Sequence, residues 1–187
     1  PPRGLPPAPS VLKRHPRTLG PPYSTVSPFL WPVRMNDTLP DSTLTVGQAL
    51  LSPTRTYLPV VKVLLAEMRP AISGLVHCSG GGQTKCLRFG SGVKHVKDNL
   101  FPIPSLFREI QRASGTTDRE MHRVYNLGHR FEVFCEPKAA DDIIAVANGF
   151  GIEAKVVGHT EATEREDGAN QLVIRRGETE LAYALGD

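Results

Sequence analysis

Polar and apolar positions change rhythm several times along the chain, and each change marks an element. Val60, Val63, Leu64 and Met68 recur at helical spacing behind Ser52-Pro53, an N-cap followed by a first-turn proline. The pattern predicts a helix running to about Met68, where Arg69-Pro70 stops it. Pro59 leaves its start open, because a proline deep in a helix removes a hydrogen bond and kinks it. Next, AISGLVHC (71–78) is a short apolar run that reads as a buried strand and delivers the chain into Gly80-Gly81-Gly82. A second strand is expected around Gly92 to Val96. FPIPSLFREIQRASG then places Pro104 near a helix start and Gly115 past its end, with Leu106, Phe107 and Ile110 on the apolar face. Thr117 and Glu120 form a T-x-x-E capping box for another short helix that ends before Gly128. HRFEVFC alternates as a strand does. Pro137 opens a helix with Ile143, Ile144 and Ala147 inward and Asn148-Gly149 as its C-terminal cap, and EAKVVGH reads as a further strand. After a polar loop from Thr160 to Asn170, QLVIRRGETELAYAL reads as a hairpin turning at Arg176-Gly177. Strands and helices mix without strict βαβ alternation, which favours an α+β sandwich over a doubly wound sheet.

Composition changes the picture at the N-terminal end. Residues 1–36 hold ten of the 17 prolines, no hydrophobic period and no acid, and five of the 22 basic residues. We expect a Pro-rich leader at 1–36, disordered or foreign to the fold, and one domain at 37–187. A targeting role for the leader conflicts with its proline density, which opposes an amphipathic helix. The +3 formal charge belongs to that leader, and the remainder carries more acid than base, so no footprint for nucleic acid is expected. No apolar run reaches the length of a membrane span. Cys78, Cys86 and Cys135 show no CxxC spacing or zinc pattern, which suggests a reducing, cytoplasmic setting and no metal site.

The candidate chemistry gathers around VHCSGGGQTKC, 76–86. Consecutive glycines permit positive φ and let successive N–H groups line one concavity, with Gln83 and Thr84 able to start a helix and Lys85 able to add a charge. The spacing is neither GxxxxGK[ST] nor GxGxxG, so a flexible connection stands beside an anion cradle. His77, at the end of the apolar run, reads first as a partly buried histidine with one backbone hydrogen bond. Cys78 and Cys86 are read as small hydrophobes. Arg55, in SPTRTY, falls in a predicted first helical turn, a poor place for a cation unless a ligand or carboxylate meets it; solvent exposure is the bland alternative. Asn126 and His129 flank Gly128 at a corner, where the asparagine is expected to cap and the histidine to lie at the surface.

Read together, LLSPTRTYLPVVKVLL, GLVHCSGGGQTK, the run from Lys97 to Phe134 and IEAKVVGH resemble the C-terminal domain of the aminoimidazole ribonucleotide synthetases, the phosphoribosylformylglycinamidine cyclo-ligases. Order and spacing agree from about Arg34 to His159. The resemblance implies a three-layer α/β sandwich with a mixed sheet. It implies an ATP-dependent ring closure in purine biosynthesis, in which formylglycinamidine ribonucleotide becomes aminoimidazole ribonucleotide. ATP is expected to phosphorylate the formyl oxygen, making it a leaving group for attack by the amidine nitrogen. His77 falls on the histidine of the family's H-x-[ST]-G-G-G loop, a candidate proton-handling or substrate-polarising group. Ser79, Gly80, Gly81 and Gly82 fall on the substrate-facing loop, Arg55 on the arginine of [SA]PTR, and Asn126 with Gly128 on the FNxG corner, here YNLG.

Two departures qualify these expectations. QTKC leaves the commoner continuation of the loop, so Gln83 and Lys85 take no family role. The family's N-terminal half, which is expected to bind most of the ATP and magnesium and to form the homodimer contacts, has no match in 1–33. The chain is therefore expected to be the substrate-side part of the ligase, inactive alone, with the ribonucleotide and an N-terminal domain as partners. A related ATP-using enzyme of the thiamine-monophosphate kinase or selenophosphate synthetase type, or a non-catalytic binding module, remains open as an alternative.

Overall fold

The computed structural model describes residues 33–185. Residues 1–32 of the expected leader, and with them the question of targeting, lie outside the described residues. Met35 is tied into the fold, its carbonyl accepting from the Gly47 amide at 2.8 Å.

Helix α1 (Val46–Leu50) opens on a reciprocal capping box between Thr45 and Gln48. Helix α2 spans Leu58–Glu67 and does not begin at Ser52-Pro53 as the capping signal suggested. Pro59 decides the matter: in the first turn its missing N–H forfeits nothing, whereas deeper in the helix it would break the ladder. Strand β1 (Ile72–His77) leads through the glycines into a 3₁₀ turn, Gly82–Arg88, and then β2 (Val93–Lys97). Helix α3 (Ser105–Ser114) exits through left-handed Gly115, and α4 (Asp118–Val124) is capped by the Thr117 hydroxyl, which accepts from the Glu120 amide. Strand β3 is Phe131–Cys135.

Helix α5 (Ala140–Gly149) runs past its expected cap. Gly149 is still helical, and Gly151, at φ 66°, makes the left-handed exit. The strand expected at EAKVVGH is displaced to β4, Gly158–Ala162. The reason lies in its partner: β2 offers five residues, matched one to one by 158–162, and the Asn99 side chain and the Asp98 and Asn99 amides hold the Val156 and Val157 carbonyls at the corner beyond. Strands β5 (Gln171–Arg176) and β6 (Thr179–Ala184) form the expected hairpin.

The strands make two sheets, an antiparallel β1–β3 pair and a four-stranded sheet in the order β4–β2–β5–β6. The second sheet is mixed, because β2 is parallel to β5 and antiparallel to β4. Side-chain alternation along β3 sends Val133 and Cys135 into a core with Val60 and Leu64 of α2 and Ile143 of α5. Phe134 turns the other way, onto a second core of Leu87, Leu172, Ile174 and Tyr183. Two helices, a two-stranded sheet and a four-stranded sheet thus stack in three layers, the α+β sandwich that the resemblance implied.

Candidate functional site

The loop after β1 gathers most of the residues singled out in the sequence. His77 ends the strand with its imidazole exposed, 5.9 Å edge-on from the Tyr57 ring and 6.1 Å from Phe131. Tyr57 and Phe131 face each other at 5.0 Å, so the histidine rests against a small aromatic shelf. The Tyr57 hydroxyl is pushed up by burial, against the charges of Arg130 and Arg55. That places Arg55, itself exposed and ahead of α2, within electrostatic reach of the shelf.

Beyond His77 the three glycines do different work. Gly80 is exposed, with nothing within 4 Å of where a side chain would start. Gly81 takes φ 88° against Lys85. Gly82 is buried at φ 48°, and a Cβ there would sit 2.4 Å from the Tyr125 carbonyl oxygen. Only a residue without a side chain fits that approach. The Gly82 and Thr84 amides turn back onto the Ser79 and Gly81 carbonyls, and the Thr84 hydroxyl also donates to Gly81 O. The loop is therefore a closed turn with two of its amides spent internally, which distinguishes it from a nest that aims all its N–H groups outward. Lys85 donates to the Ser79 hydroxyl at 2.8 Å.

Asn126 supports the loop from the neighbouring corner. Its side-chain amide donates to Cys78 O at 3.0 Å, its side-chain oxygen accepts from the Gly128 amide at 3.0 Å, and its carbonyl accepts from Gln83 Nε2 at 2.5 Å. Gly128, at φ 91°, lies so close to Pro104 that a Cβ would fall 2.8 Å from the ring. Asn126 and Gly128 thus shape the turn beneath the loop with their own polar groups engaged.

On its outer side the loop borders an open groove of about 440 Å³, walled by Gly80, Gly81, Arg88, Arg123 and Tyr183. Arg123 pairs with Glu120 at 2.9 Å, while Arg88 is exposed. The groove offers backbone, hydroxyl and guanidinium groups suited to a phosphate-bearing ligand. Among the described residues no group of three or more His, Cys, Asp or Glu side chains stands where it could hold a metal ion. Nor is any helix among them long and apolar enough to cross a membrane.

Directly beneath the loop lies a buried polar cluster that the sequence did not announce. Lys97 of β2 is 4% exposed and Glu132 of β3 is 6% exposed, and their side chains meet at 2.5 Å. Lys97 Nζ also donates to Gln83 O at 2.8 Å and to Gln83 Oε1 at 3.2 Å, using all three ammonium hydrogens. His129, expected at the surface, is buried, with Nε2 3.3 Å from Glu132 Oε1 and the Phe101 ring 5.9 Å away. Burial pushes the Glu132 carboxyl up, but the nearby His129 imidazole and the Lys97 ammonium outweigh it and hold the group down at about 2. Burial works against the Lys97 charge, and the carboxylate beside it more than offsets this, so the ammonium stays above its ordinary value. Cys78 and Cys86 are both buried and free. Burial pushes the Cys78 thiol far up and that of Cys86 to about 11, which leaves both as small packing groups.

The architecture is that of a layered α+β domain with a histidine and a glycine turn at the end of a strand. The family of AIR synthase related proteins, C-terminal domain, matches residues 31–169, and the chain belongs to it. The match stops two residues short of β5, so the closing hairpin lies beyond it. The phosphoribosylformylglycinamidine cyclo-ligase of Methanocaldococcus jannaschii is 37% identical over 115 residues, covering 61% of this chain and 33% of that protein. Its namesake from Methanococcus vannielii is 38% identical over 125 residues, 66% of this chain and 35% of that one. For Trichlorobacter lovleyi the figures are 33% over 144 residues, 75% of this chain and 40% of the relative. The chain spans roughly a third to two fifths of the relatives it matches. The crystal structure of E. coli HypE, a hydrogenase maturation protein, is similar over 80% of this chain and 47% of that one, at 18% identity and a TM-score of 0.47, too loose a likeness to bear on function.

Proposed function

We propose that residues 33–185 form the ribonucleotide-facing wall of a phosphoribosylformylglycinamidine cyclo-ligase, with ATP and magnesium handled by groups outside this fold. The observation that carries the reading is the glycine turn. It is locked from below by Gly82 against Tyr125 and by Asn126 on Cys78, and open above at Gly80 beside a groove with two guanidinium groups. The cyclo-ligase names of the relatives supply the substrate class.

In the ring closure, the formyl oxygen takes the terminal phosphoryl group of ATP. The amidine nitrogen then attacks the formyl carbon, and phosphate leaves as the C–N bond is completed. His77, exposed at the end of β1, would accept the proton that the nitrogen sheds, and Arg55 would meet negative charge on the ligand. Ser79, Gly80 and Gly81 would seat the ribonucleotide along the groove, with Gly82, Asn126 and Gly128 holding the turn in shape. Localisation in the cytoplasm and a homodimer in the whole enzyme belong to the same proposal.

Titration calorimetry of the full chain with formylglycinamidine ribonucleotide tests it. Binding of millimolar strength or tighter is expected, weakened by His77→Ala and abolished by Gly81→Leu. No binding would remove the substrate reading in favour of a different ligand. Incubation with ATP and the ribonucleotide should give no product from this chain alone, and some when an N-terminal half of the relatives' type is added. Turnover by the chain alone would show that the ATP-handling groups lie within it.

A further inference from the structure

A buried ion pair is an expensive way to join two sheets. Desolvating both charges cancels most of their attraction, and two well-packed apolar side chains often serve stability as well or better. Lys97 and Glu132 are nonetheless buried together, in the layer between the β1–β3 pair and the four-stranded sheet. What separates this pair from a simple bolt is where the ammonium's other two hydrogens go. Both reach Gln83, one its carbonyl and one its side chain, and Gln83 is the residue directly after the last glycine.

From Gln83 the connections continue to the other end of the loop. Gln83 Nε2 donates to Asn126 O, and Asn126 Nδ2 donates to Cys78 O, immediately after His77. The series Glu132, Lys97, Gln83, Asn126, Cys78 therefore grips the glycine turn at its entrance and its exit. Gln83, 1% exposed, has no freedom to move while Lys97 holds it. The Gly82 and Thr84 amides, which close the turn on Ser79 and Gly81, sit on either side of that anchor.

We propose that Lys97 and Glu132 are a positioning pair that acts through Gln83 to hold the glycine turn, and with it His77 and Ser79, in its ligand-ready shape. The proposal rests on the cyclo-ligase reading only for the identity of the ligand. The pair touches no reacting group.

The test removes both charges at once, in the double variant Lys97→Met with Glu132→Leu, so that neither is left buried alone. A second variant, Gln83→Met, leaves the ion pair in place and cuts its side-chain link to the loop. Amide hydrogen exchange is followed at Gly82 and Thr84, with Leu172 and Ile174 of β5 as internal references, and ribonucleotide affinity is measured by calorimetry. In the double variant, exchange at the two loop amides is expected to quicken about tenfold while the β5 amides keep their protection. Gln83→Met should give the same pattern in weaker form, and ribonucleotide binding should weaken in step with loop exchange. If the double variant does not fold, the Gln83→Met result alone decides. Unchanged protection at Gly82 and Thr84 in a folded variant would overturn the proposal, because a merely structural bolt would leave the loop alone. Should the wild-type chain bind no ribonucleotide, the substrate reading falls while the exchange measurement still decides the role of the pair.

Discussion

Replacing the three loop glycines one at a time by alanine separates what each contributes. At Gly80 an added methyl meets open space and the backbone is not left-handed, so Gly80→Ala should change stability by less than about 1 kcal/mol, with a slight gain from the stiffer unfolded chain. At Gly81 the methyl clears Lys85 at 3.7 Å, but φ 88° imposes the left-handed cost on alanine, about 1–2 kcal/mol. At Gly82 that cost recurs and a methyl 2.4 Å from Tyr125 O, 2.7 Å from its carbonyl carbon and 2.8 Å from its amide nitrogen is added. Those atoms are backbone of the corner that also carries Asn126, so relief requires moving the loop's own support. Overpacking of this kind costs about 1–3 kcal/mol, giving roughly 2–5 kcal/mol in total. At about 2–4 °C per kcal/mol for a domain of this size, Gly82→Ala should lower the Tm by roughly 4–20 °C, with Gly80→Ala near the wild type. Scanning calorimetry and urea denaturation both read the order Gly80, Gly81, Gly82. A Gly82→Ala protein melting within a degree of the wild type, or a Gly80→Ala protein melting as low as it, would refute the close approach on which the locked turn depends.

Other consequences follow from burial and charge. His95 and His122 are held below their ordinary value by burial first, with the Lys97 charge adding to it at His95. Both stay neutral when folded and take up protons when unfolded. Stability should therefore fall as pH drops below about 6.5, by up to about 1.4 kcal/mol per unit for each histidine, and His95→Leu should flatten that slope in urea titrations. Glu132 behaves in the opposite sense to an ordinary carboxyl pushed up by burial. Its folded value is depressed from 4.5, so its contribution is present above about pH 4.5 and is lost as pH falls towards 2, a limb that Glu132→Gln should remove in acid unfolding followed by circular dichroism. Leu172 has no exposed surface and fills the second core, so Leu172→Ala should cost about 2–5 kcal/mol in denaturant unfolding. The Thr117 cap is exposed and local, and Thr117→Ala should cost only about 1 kcal/mol in the same assay.

What could be read from the sequence is what local spacing determines. Pro104 and Gly115 bracket α3, and the hairpin turn at Gly177 lies where Arg176-Gly177 suggested. The apolar run before the glycines is β1. The glycine turn, the Asn126 corner and the aromatic shelf under His77 are likewise built from stretches whose motifs were visible one by one. The buried cluster was not visible, because its members lie 14, 35 and 43 residues apart and share no pattern. Period-two reasoning also points the wrong way there. Glu132, between Phe131 and Val133, reads as the solvent face of a half-buried strand, yet both faces of the β1–β3 pair are covered, so its polar side is an interior. The same covering buries His129, which stands at a corner that local reasoning assigns to solvent. The start of α2 was legible in Pro59 once the cost of a mid-helix proline outweighed the Ser52-Pro53 signal.

The parallel pairing of β2 with β5 has a consequence for how the chain is made. Synthesis runs from the N-terminal end, and the core of α2, β1, β3 and α5 is complete once Ile152 has emerged. The other core cannot close then, because Leu172, Ile174 and Tyr183 all arrive with the last strands. Until Gln171–Arg176 leaves the ribosome, β2 presents an unpaired edge, and Lys97 sits beside a layer whose far side is missing. The first half can dock while the second still waits. A nascent chain that has emerged as far as residue 169 would hold a finished outer layer over an open apolar face, a form suited to capture by a chaperone.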